Sequence, residues 1–284
     1  MFKRKTSGSV LCSSCGVLVG VGDDKCYNCG RRNPALWGFA PALRELGADI
    51  GFGPIAIGGC VIVFALTLLF DMGSIGMSGA GILSPSNRSL FLFGESGAVP
   101  VFVAGRWWTV LSAGWLHGGA LHIFMNMMAL RQLAPAVADA YGSARTAIIY
   151  IAGSVVGFAL SSFAGAYLPS ILFFSGSSFT VGASASIAAL IGAVLAYSHR
   201  TGSSLARYYA NYYIIGLIII GFMGFLRIDN YAHAGGFAGG YLVARVLDPL
   251  KPERADHMIL AVVCVGASLL SIVVSVLHGA QFLQ

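Results

Sequence analysis

The chain has 284 residues, of which 57% are hydrophobic and only 10% are charged. This composition excludes an ordinary soluble globular domain and indicates a protein that lies largely within a membrane. The net charge of +6 at pH 7 is explained by membrane topology and by contact with anionic lipids, so a nucleic-acid partner is not expected.

The first 33 residues are polar and cysteine-rich, unlike the rest of the chain. Two Cys-x2-Cys pairs are separated by ten residues, and a glycine follows each pair. This spacing is typical of a zinc ribbon, in which four thiolates surround a structural Zn²⁺. Two disulfides are the alternative, but a cytoplasmic segment keeps its thiols reduced. All four ligands are used, so the predicted site is closed and structural, and the module could also bind a cytoplasmic partner. The predicted ligands are Cys12, Cys15, Cys26 and Cys29.

A linker over residues 34–53 leads into seven apolar segments, each about the 17–25 residues that a bilayer-spanning helix needs. No cleavable signal peptide is recognisable, so the first span is expected to direct insertion. We therefore predict an all-α membrane protein with seven transmembrane helices. The predicted spans are 54–70, 109–133, 146–168, 182–198, 211–226, 231–247 and 258–277.

The basic residues predict the orientation of these spans. With the N-terminus in the cytoplasm, 14 of the 17 Lys and Arg residues fall on the cytoplasmic side. This asymmetry follows the positive-inside rule. The short loops and the lack of a transit peptide favour a bacterial inner membrane. The three exceptions are Arg88, Arg106 and Arg227.

The second predicted span carries polar side chains at membrane depth, where they are costly and usually functional. His122 and Asn126 are four residues apart, so a helix places them on one face. His117 lies five residues before His122, about 140° away around a continuous helix, and is expected to face elsewhere.

The fourth and sixth predicted spans carry a serine and a histidine. Ser184 follows a polar stretch, so it is expected in the first turn of its helix, where free N–H groups favour negative charge. His233, Gly236 and Gly240 are spaced i, i+3 and i+7, which places them on one face of a helix. Glycines there would let the two helices approach until His233 reaches Ser184 as a general base.

Together, the motifs His117…His122-x3-Asn126, Gly182-x-Ser184 and His233-x2-Gly236-x3-Gly240 resemble those of rhomboid intramembrane serine proteases, over roughly residues 87–250. The resemblance implies a rhomboid-like six-helix transmembrane bundle over 54–250, here with one extra C-terminal transmembrane helix and tail over 251–284. It also implies that the protein cleaves transmembrane segments of other membrane proteins. The implied roles are Ser184 as nucleophile, His233 as general base and then acid, and His122, Asn126 and the Ser184 N–H as the oxyanion hole.

The chain departs from the family pattern at three places. Ala185 stands where many rhomboids have glycine after the nucleophile, and its methyl is expected to crowd the contact between the fourth and sixth spans. Ala188 stands where many have an aromatic residue against the histidine. The segment Arg106-Trp107-Trp108-Thr109 keeps the tryptophans of a Glu-x-Trp-Arg pattern but lacks both charges at those positions.

These departures keep a second hypothesis open, in which a catalytically inactive rhomboid-like protein binds transmembrane helices without cleaving them. A transporter is disfavoured, because the spans show neither inverted repeats nor charged residues in their centres.

Overall fold

A computed structural model describes residues 4–42, 51–77, 82–171, 175–222 and 228–282. Part of the predicted linker, the end of the fifth predicted span and three of the basic residues used to predict orientation lie outside these ranges. Those basic residues are Lys3, Arg44 and Arg227.

The N-terminal module is a small antiparallel hairpin. Strand β1 (Ser9–Leu11) pairs with β2 (Leu18–Gly20), with Val10 opposite Val19. Both valines are buried against cysteines of the two Cys-x2-Cys pairs. A core of this size is too small to stabilise a fold alone.

Nine helices follow in the part of the chain that the structure describes. Helices α1, α5, α7 and α9 are long and apolar enough to cross a membrane, so the chain is a multi-pass membrane protein. A full count of seven spans stays a prediction. The helices are α1 (Phe52–Phe70), α2 (Asn87–Phe93), α3 (Thr109–Ser112), α4 (Ala120–Tyr141), α5 (Ser143–Tyr167), α6 (Ser184–Thr201), α7 (Ser204–Phe222), α8 (Asn230–Val246) and α9 (Ala255–Gly279).

The second predicted span is divided into two pieces. Helix α3 ends in a 3-10 turn at Ala113–Trp115 and Leu116 is extended, so α4 begins only at Ala120 and continues to Tyr141. Gly118 and Gly119 fall at the break, where helix propensity is low. An outside contact also holds the break open, because the hydroxyl of Ser84 donates to the Gly118 carbonyl at 2.8 Å.

Helices α5, α6 and α8 form the centre of the bundle, with their backbones almost in contact. A Cβ built on Gly236 or Gly240 of α8 would overlap the α6 backbone, and one on Gly157 of α5 would lie 3.1 Å from the Gly236 nitrogen. Helices α6 and α8 run parallel, so their N-terminal ends lie at the same end of the bundle. Glycine at these positions permits this close approach.

The ribbon contacts the opposite end of the bundle, at the start of α9. The Arg31 guanidinium donates to the Asp256 carboxylate at 2.5 Å, and the Ala255 N–H donates to the Ser13 carbonyl at 2.9 Å. Nearby, the buried guanidinium of Arg145 donates to the carbonyls of Asp248 and Lys251, which fixes the turn between α8 and α9.

Candidate active site and metal centre

Ser184 is the first residue of α6, as its polar flank predicts. The preceding residue, Ala183, makes no side-chain cap for the helix. The N–H groups in the first turn of any helix have no helical partner, and the positive end of the helix dipole lies at the serine. Ser184 is half-buried. Its position suits a hydroxyl that must react while a negative charge develops nearby.

His122 approaches the loop before Ser184 at Gly182. A Cβ built on Gly182 would lie 2.6 Å from the His122 Nε2 and 3.7 Å from the Ser184 Oγ. Gly182 also has a φ of +131°, which L side chains rarely adopt. Glycine is thus required there by backbone conformation and by space, and its small size lets His122 and Ser184 approach the same point.

The hydrogen bonding of His122 fixes the orientation of its ring. Its Nδ1 accepts the Gly118 N–H at 3.3 Å. A neutral imidazole that accepts at Nδ1 carries its proton on Nε2. The Nε2 that lies beside Gly182 is therefore a donor, as an oxyanion-binding group must be.

The expectation that His117 faces away from His122 is wrong. The two rings make an edge-on contact, with 5.2 Å between their centroids. The 140° angle assumed a continuous helix, whereas the chain breaks between the two histidines. His117 is completely buried and packs against the ring of His122.

Asn126 is buried one turn below His122, and its Nδ2 donates to the His122 carbonyl at 3.0 Å. That bond uses one of the two amide hydrogens and holds the side chain against the helix. The second hydrogen is available to another acceptor.

His233 is buried in the first turn of α8, where its backbone N–H donates to the Asp229 carbonyl. Asp229 caps this helix, since its Oδ1 accepts the Ala232 N–H at 2.9 Å. Its Oδ2 accepts the Ser161 hydroxyl at 2.5 Å, which ties the start of α8 to α5. Asp229 was not among the residues predicted from the sequence, although an aspartate just before an apolar helix is an N-cap signal.

The contact of α6 with α8 places Ser184 and His233 at the same end of the helix pair. Gly236, one turn after His233, packs against the backbone of Ala185, the residue after Ser184. The next turn repeats this arrangement, with Gly240 against Ala189. The face of α8 that carries Gly236 and Gly240 therefore packs against α6, as their spacing predicts.

Glycine on the third helix makes room for Ala185. A Cβ on Gly157 of α5 would lie 3.0 Å from the Ala185 methyl group, so Gly157 leaves the space that this methyl needs. Ala185 and Ala188 are both completely buried. The crowding expected between α6 and α8 is thus relieved on the side of α5.

The loop before Ser184 pairs with the chain after α2. Ser96 and Thr180 exchange two backbone hydrogen bonds of 3.0 and 2.8 Å, and the Ala98 N–H donates to the Ser177 carbonyl at 2.9 Å. The Gly182 N–H donates to the Ala113 carbonyl at 3.0 Å. Residues 177–182 are therefore held from both sides.

The four cysteines of the ribbon lie together as predicted. All four Sγ atoms are within 4.8 Å of one another, with Cys12 and Cys29 3.8 Å apart and Cys15 and Cys26 3.6 Å apart. These separations are far longer than a disulfide bond. Tetrahedral ligation at a metal–sulfur distance of about 2.3 Å places sulfurs about 3.8 Å apart, so the cluster fits a metal ion.

The two knuckles of the ribbon have the same backbone turn. The Cys12 N–H donates to the Val17 carbonyl, and the Cys12 carbonyl accepts the Gly16 N–H. Cys26 makes the same two backbone hydrogen bonds with Arg31 and Gly30. Both glycines have φ above +70°, which explains glycine at these positions. Hydrogen bonds, the strongest from the Val17 N–H, lower the pKa of the Cys15 thiol to about 6 and favour its thiolate, whereas burial raises the pKa of Cys26 to about 11.

Comparison with known proteins identifies similar sequences among rhomboid proteins. A Rhomboid domain profile matches residues 104–249, about half of the chain. RHOMBOID-like protein 4 of Arabidopsis thaliana is 30% identical over 58% of this chain and 40% of its own length. Rhomboid protease GluP of Bacillus subtilis is 33% identical over 63% of this chain and 34% of its own length. Rhomboid-like protease 3 of Toxoplasma gondii is 27% identical over 55% of this chain.

The alignments with the first two of these relatives thus span well under two thirds of each relative's length. The matched region of this chain runs from the end of the segment after α2 through α8, and it contains His122, Ser184 and His233. It contains neither the ribbon nor α9. The chain belongs to the rhomboid family.

Proposed function

We propose that this protein is an intramembrane serine endopeptidase in which Ser184 is the nucleophile and His233 the general base. The observation that supports this most strongly is the arrangement around Gly182, where a donor nitrogen of His122 and the Ser184 hydroxyl lie near one point at a helix N-terminus. That point suits the oxygen of a tetrahedral intermediate.

The reaction would follow the pattern of serine proteases with two side chains rather than three. The Ser184 oxygen attacks the scissile carbonyl carbon, and its proton passes to the imidazole of His233. His233 then donates that proton to the departing amine, which leaves an acyl-enzyme on Ser184. Water attacks the ester, gives one proton to His233 and releases the new carboxyl end, and the proton returns to Ser184.

The oxyanion formed in each half-reaction would accept hydrogen bonds from His122 Nε2, from the free amide hydrogen of Asn126 and from the Ser184 N–H. Support comes from the Nδ1 contact with Gly118, which leaves the Nε2 proton available. Asn126 is in turn fixed by its bond to the His122 carbonyl. Donors held in place before the reaction need no reorganisation when charge develops.

The substrates would be transmembrane segments of other membrane proteins, the class implied by the position of the site within the bundle. A scissile amide in a helix is held by a helical hydrogen bond, so the segment must unwind before attack. We therefore expect substrates with glycine near the cleaved bond to react faster than those with leucine, because glycine has a low helix propensity.

The proposed topology places the N-terminus in the cytoplasm and Ser184 near the outer face. The distribution of basic residues supports this orientation, and a cell membrane of bacterial type is the proposed location. The proposed domains are the ribbon over 1–33, the linker over 34–53, the core over 54–250 and the extra helix and tail over 251–284. We propose Zn²⁺ as the metal of the ribbon, because a four-thiolate tetrahedral set suits zinc in a structural role. The ribbon could also recruit a cytoplasmic partner.

The second candidate is the inactive protein that binds transmembrane helices, which the departures at Ala185 and Ala188 favour. One experiment separates the two. Purified protein in lipid vesicles is given a model transmembrane substrate with glycine near the intended site, beside a leucine-rich version. A protease cleaves the first faster and loses cleavage in Ser184→Ala, whereas Ser198→Ala, a buried serine at the other end of α6, retains it. Substrate capture without cleavage would support the inactive protein.

A further inference from the structure

Helix α9 lies outside the region shared with the Rhomboid domain profile, yet it packs against the segment that holds the nucleophile's loop, which is residues 177–182 before Ser184. The indole of Trp108 makes an edge-on contact with the His278 ring, with 5.2 Å between centroids. A Cβ built on Gly279 would lie 3.0 Å from the Leu92 side chain and 3.4 Å from the Arg106 guanidinium. The last turn of α9 is therefore seated on α2 and on the chain before α3.

Polar contacts fix this seating. The guanidinium of Arg106 is completely buried and donates to the Ser275 carbonyl of α9 at 2.9 Å and to the Phe91 carbonyl at 2.7 Å. The Trp108 indole N–H donates to the Ser275 hydroxyl at 3.1 Å, and the Trp115 indole N–H donates to the Ser268 hydroxyl at 3.1 Å. A buried donor that loses its acceptor is costly, so these groups depend on α9.

Ser268, Ser271 and Ser275 form a buried row at spacings i, i+3 and i+7 on one face of α9. The opposite face presents leucine and valine, among them Leu270 and Val273, each more than half exposed. A helix that served only as a membrane anchor would not need a buried polar row. The row indicates that α9 packs at a specific position against the rest of the bundle.

The segment held by α9 is the one that pairs with the loop before Ser184. Ser96, which lies in the chain between α2 and Arg106, exchanges two backbone hydrogen bonds with Thr180. A Cβ on Gly97 would lie 2.7 Å from the carbonyl carbon of Ser178, so the two strands of chain are in direct contact. The Ala113 carbonyl, two residues before Trp115, accepts the Gly182 N–H.

We propose that α9 positions the nucleophile's loop. Through Ser268 and Ser275 it fixes Trp115, Trp108 and Arg106, and these fix the chain that pairs with residues 177–182. The consequence of this positioning for catalysis rests on the proposed role of Ser184. Ser268 and Ser275 are positioning residues and do not touch the reacting atoms.

The test compares the double variant Ser268→Ala/Ser275→Ala with Ser271→Ala in the full chain in lipid nanodiscs. Ser271 is buried in the same row, but its hydroxyl bonds within α9, to the Ser268 carbonyl at 2.7 Å. Hydrogen exchange is followed by mass spectrometry in peptides covering 94–99 and 177–182. We expect exchange there to become about 10-fold faster or more in the double variant, because local opening is easier when buried donors lose acceptors. Ser271→Ala should exchange at the wild-type rate.

A second variant tests the same contact from the other side and applies even if the double variant does not fold. Trp108→Phe removes the indole N–H but keeps a ring. If the contact positions the loop, Trp108→Phe and Ser275→Ala each accelerate exchange, and together they do little more than either alone. Fully additive effects, wild-type exchange in a folded double variant, or an equal effect of Ser271→Ala would overturn the proposal.

Exchange needs no activity, so it is repeated in the Ser184→Ala background, where the same result is expected. Reaction of the Ser184 hydroxyl with a fluorophosphonate probe is measured in parallel and should slow about 10-fold or more in the double variant, with the KM for a model substrate unchanged. Accelerated exchange in a protein whose wild type takes no probe would support the positioning role and refute the nucleophile. Probe reaction at the wild-type rate together with unchanged exchange in the double variant would refute the positioning role and support Ser184 as the nucleophile.

Discussion

The contact between α6 and α8 can be tested by adding a single methyl group. In Gly236→Ala, the new Cβ would lie 2.8 Å from the carbonyl carbon of Ala185 and closer still to its oxygen. Carbon atoms in good contact are about 3.5–4.0 Å apart, so the helices must separate by about 0.7 Å or more. Overpacking of this kind costs about 1–3 kcal/mol of folding free energy.

The larger effect is expected on reactivity, because Gly236 is one turn from His233 and packs against Ala185, the residue after Ser184. A misplacement of about 1 Å can cost about 10²-fold in rate. The assay is the second-order rate of fluorophosphonate labelling together with thermal melting, both in lipid. We expect labelling to fall about 10²-fold while the protein still folds with a lower Tm. Gly216→Ala on α7 is the control, because a Cβ there meets nothing within 4 Å.

The clash in Gly236→Ala is with backbone atoms of α6, so removing a side chain should not relieve it. Ala185→Gly in the same protein is therefore expected not to restore labelling. Wild-type labelling and melting in Gly236→Ala would refute the close contact. Restoration by Ala185→Gly would show that the helices meet through side chains instead.

Three further outcomes are expected. Gly182→Ala should reduce labelling at least about 10²-fold, because its methyl group would overlap His122 and the residue would have to adopt a strained φ; a labelling rate near wild type would contradict this. His122→Ala should lower the rate of substrate cleavage by about 10²–10³-fold with KM little changed, as expected for loss of one oxyanion donor; a higher KM at full kcat would contradict it. Elemental analysis should find one zinc per chain, lost in Cys12→Ser and kept in Cys60→Ser, since Cys60 is buried away from the cluster; equal zinc in the two variants would contradict the ribbon site.

Much of the candidate site could be predicted because it depends on local spacing. The polar flank before Ser184 predicted the start of α6, and the i, i+3, i+7 spacing after His233 predicted the face that meets it. The ribbon is equally local, since two short knuckles define it. In each case a few adjacent residues determine the geometry.

The rest depended on contacts between distant residues. The break before α4 is held by Ser84, which lies 34 residues earlier in the chain, so the predicted span was continuous and His117 was assigned to the wrong face. The contact of Arg106 with Ser275 joins residues 169 apart. In the sequence, Arg106 stands where the Glu-x-Trp-Arg pattern has a glutamate, but no periodic pattern indicates which residue it contacts.

The site of covalent modification tests the central claim most directly. Full-length protein in lipid is treated with a fluorophosphonate probe, digested and mapped by mass spectrometry. We predict a single adduct on Ser184, absent in Ser184→Ala and His233→Ala and present in Ser198→Ala. A folded wild-type protein that takes no probe, or an adduct on another serine that persists in Ser184→Ala, would contradict the account.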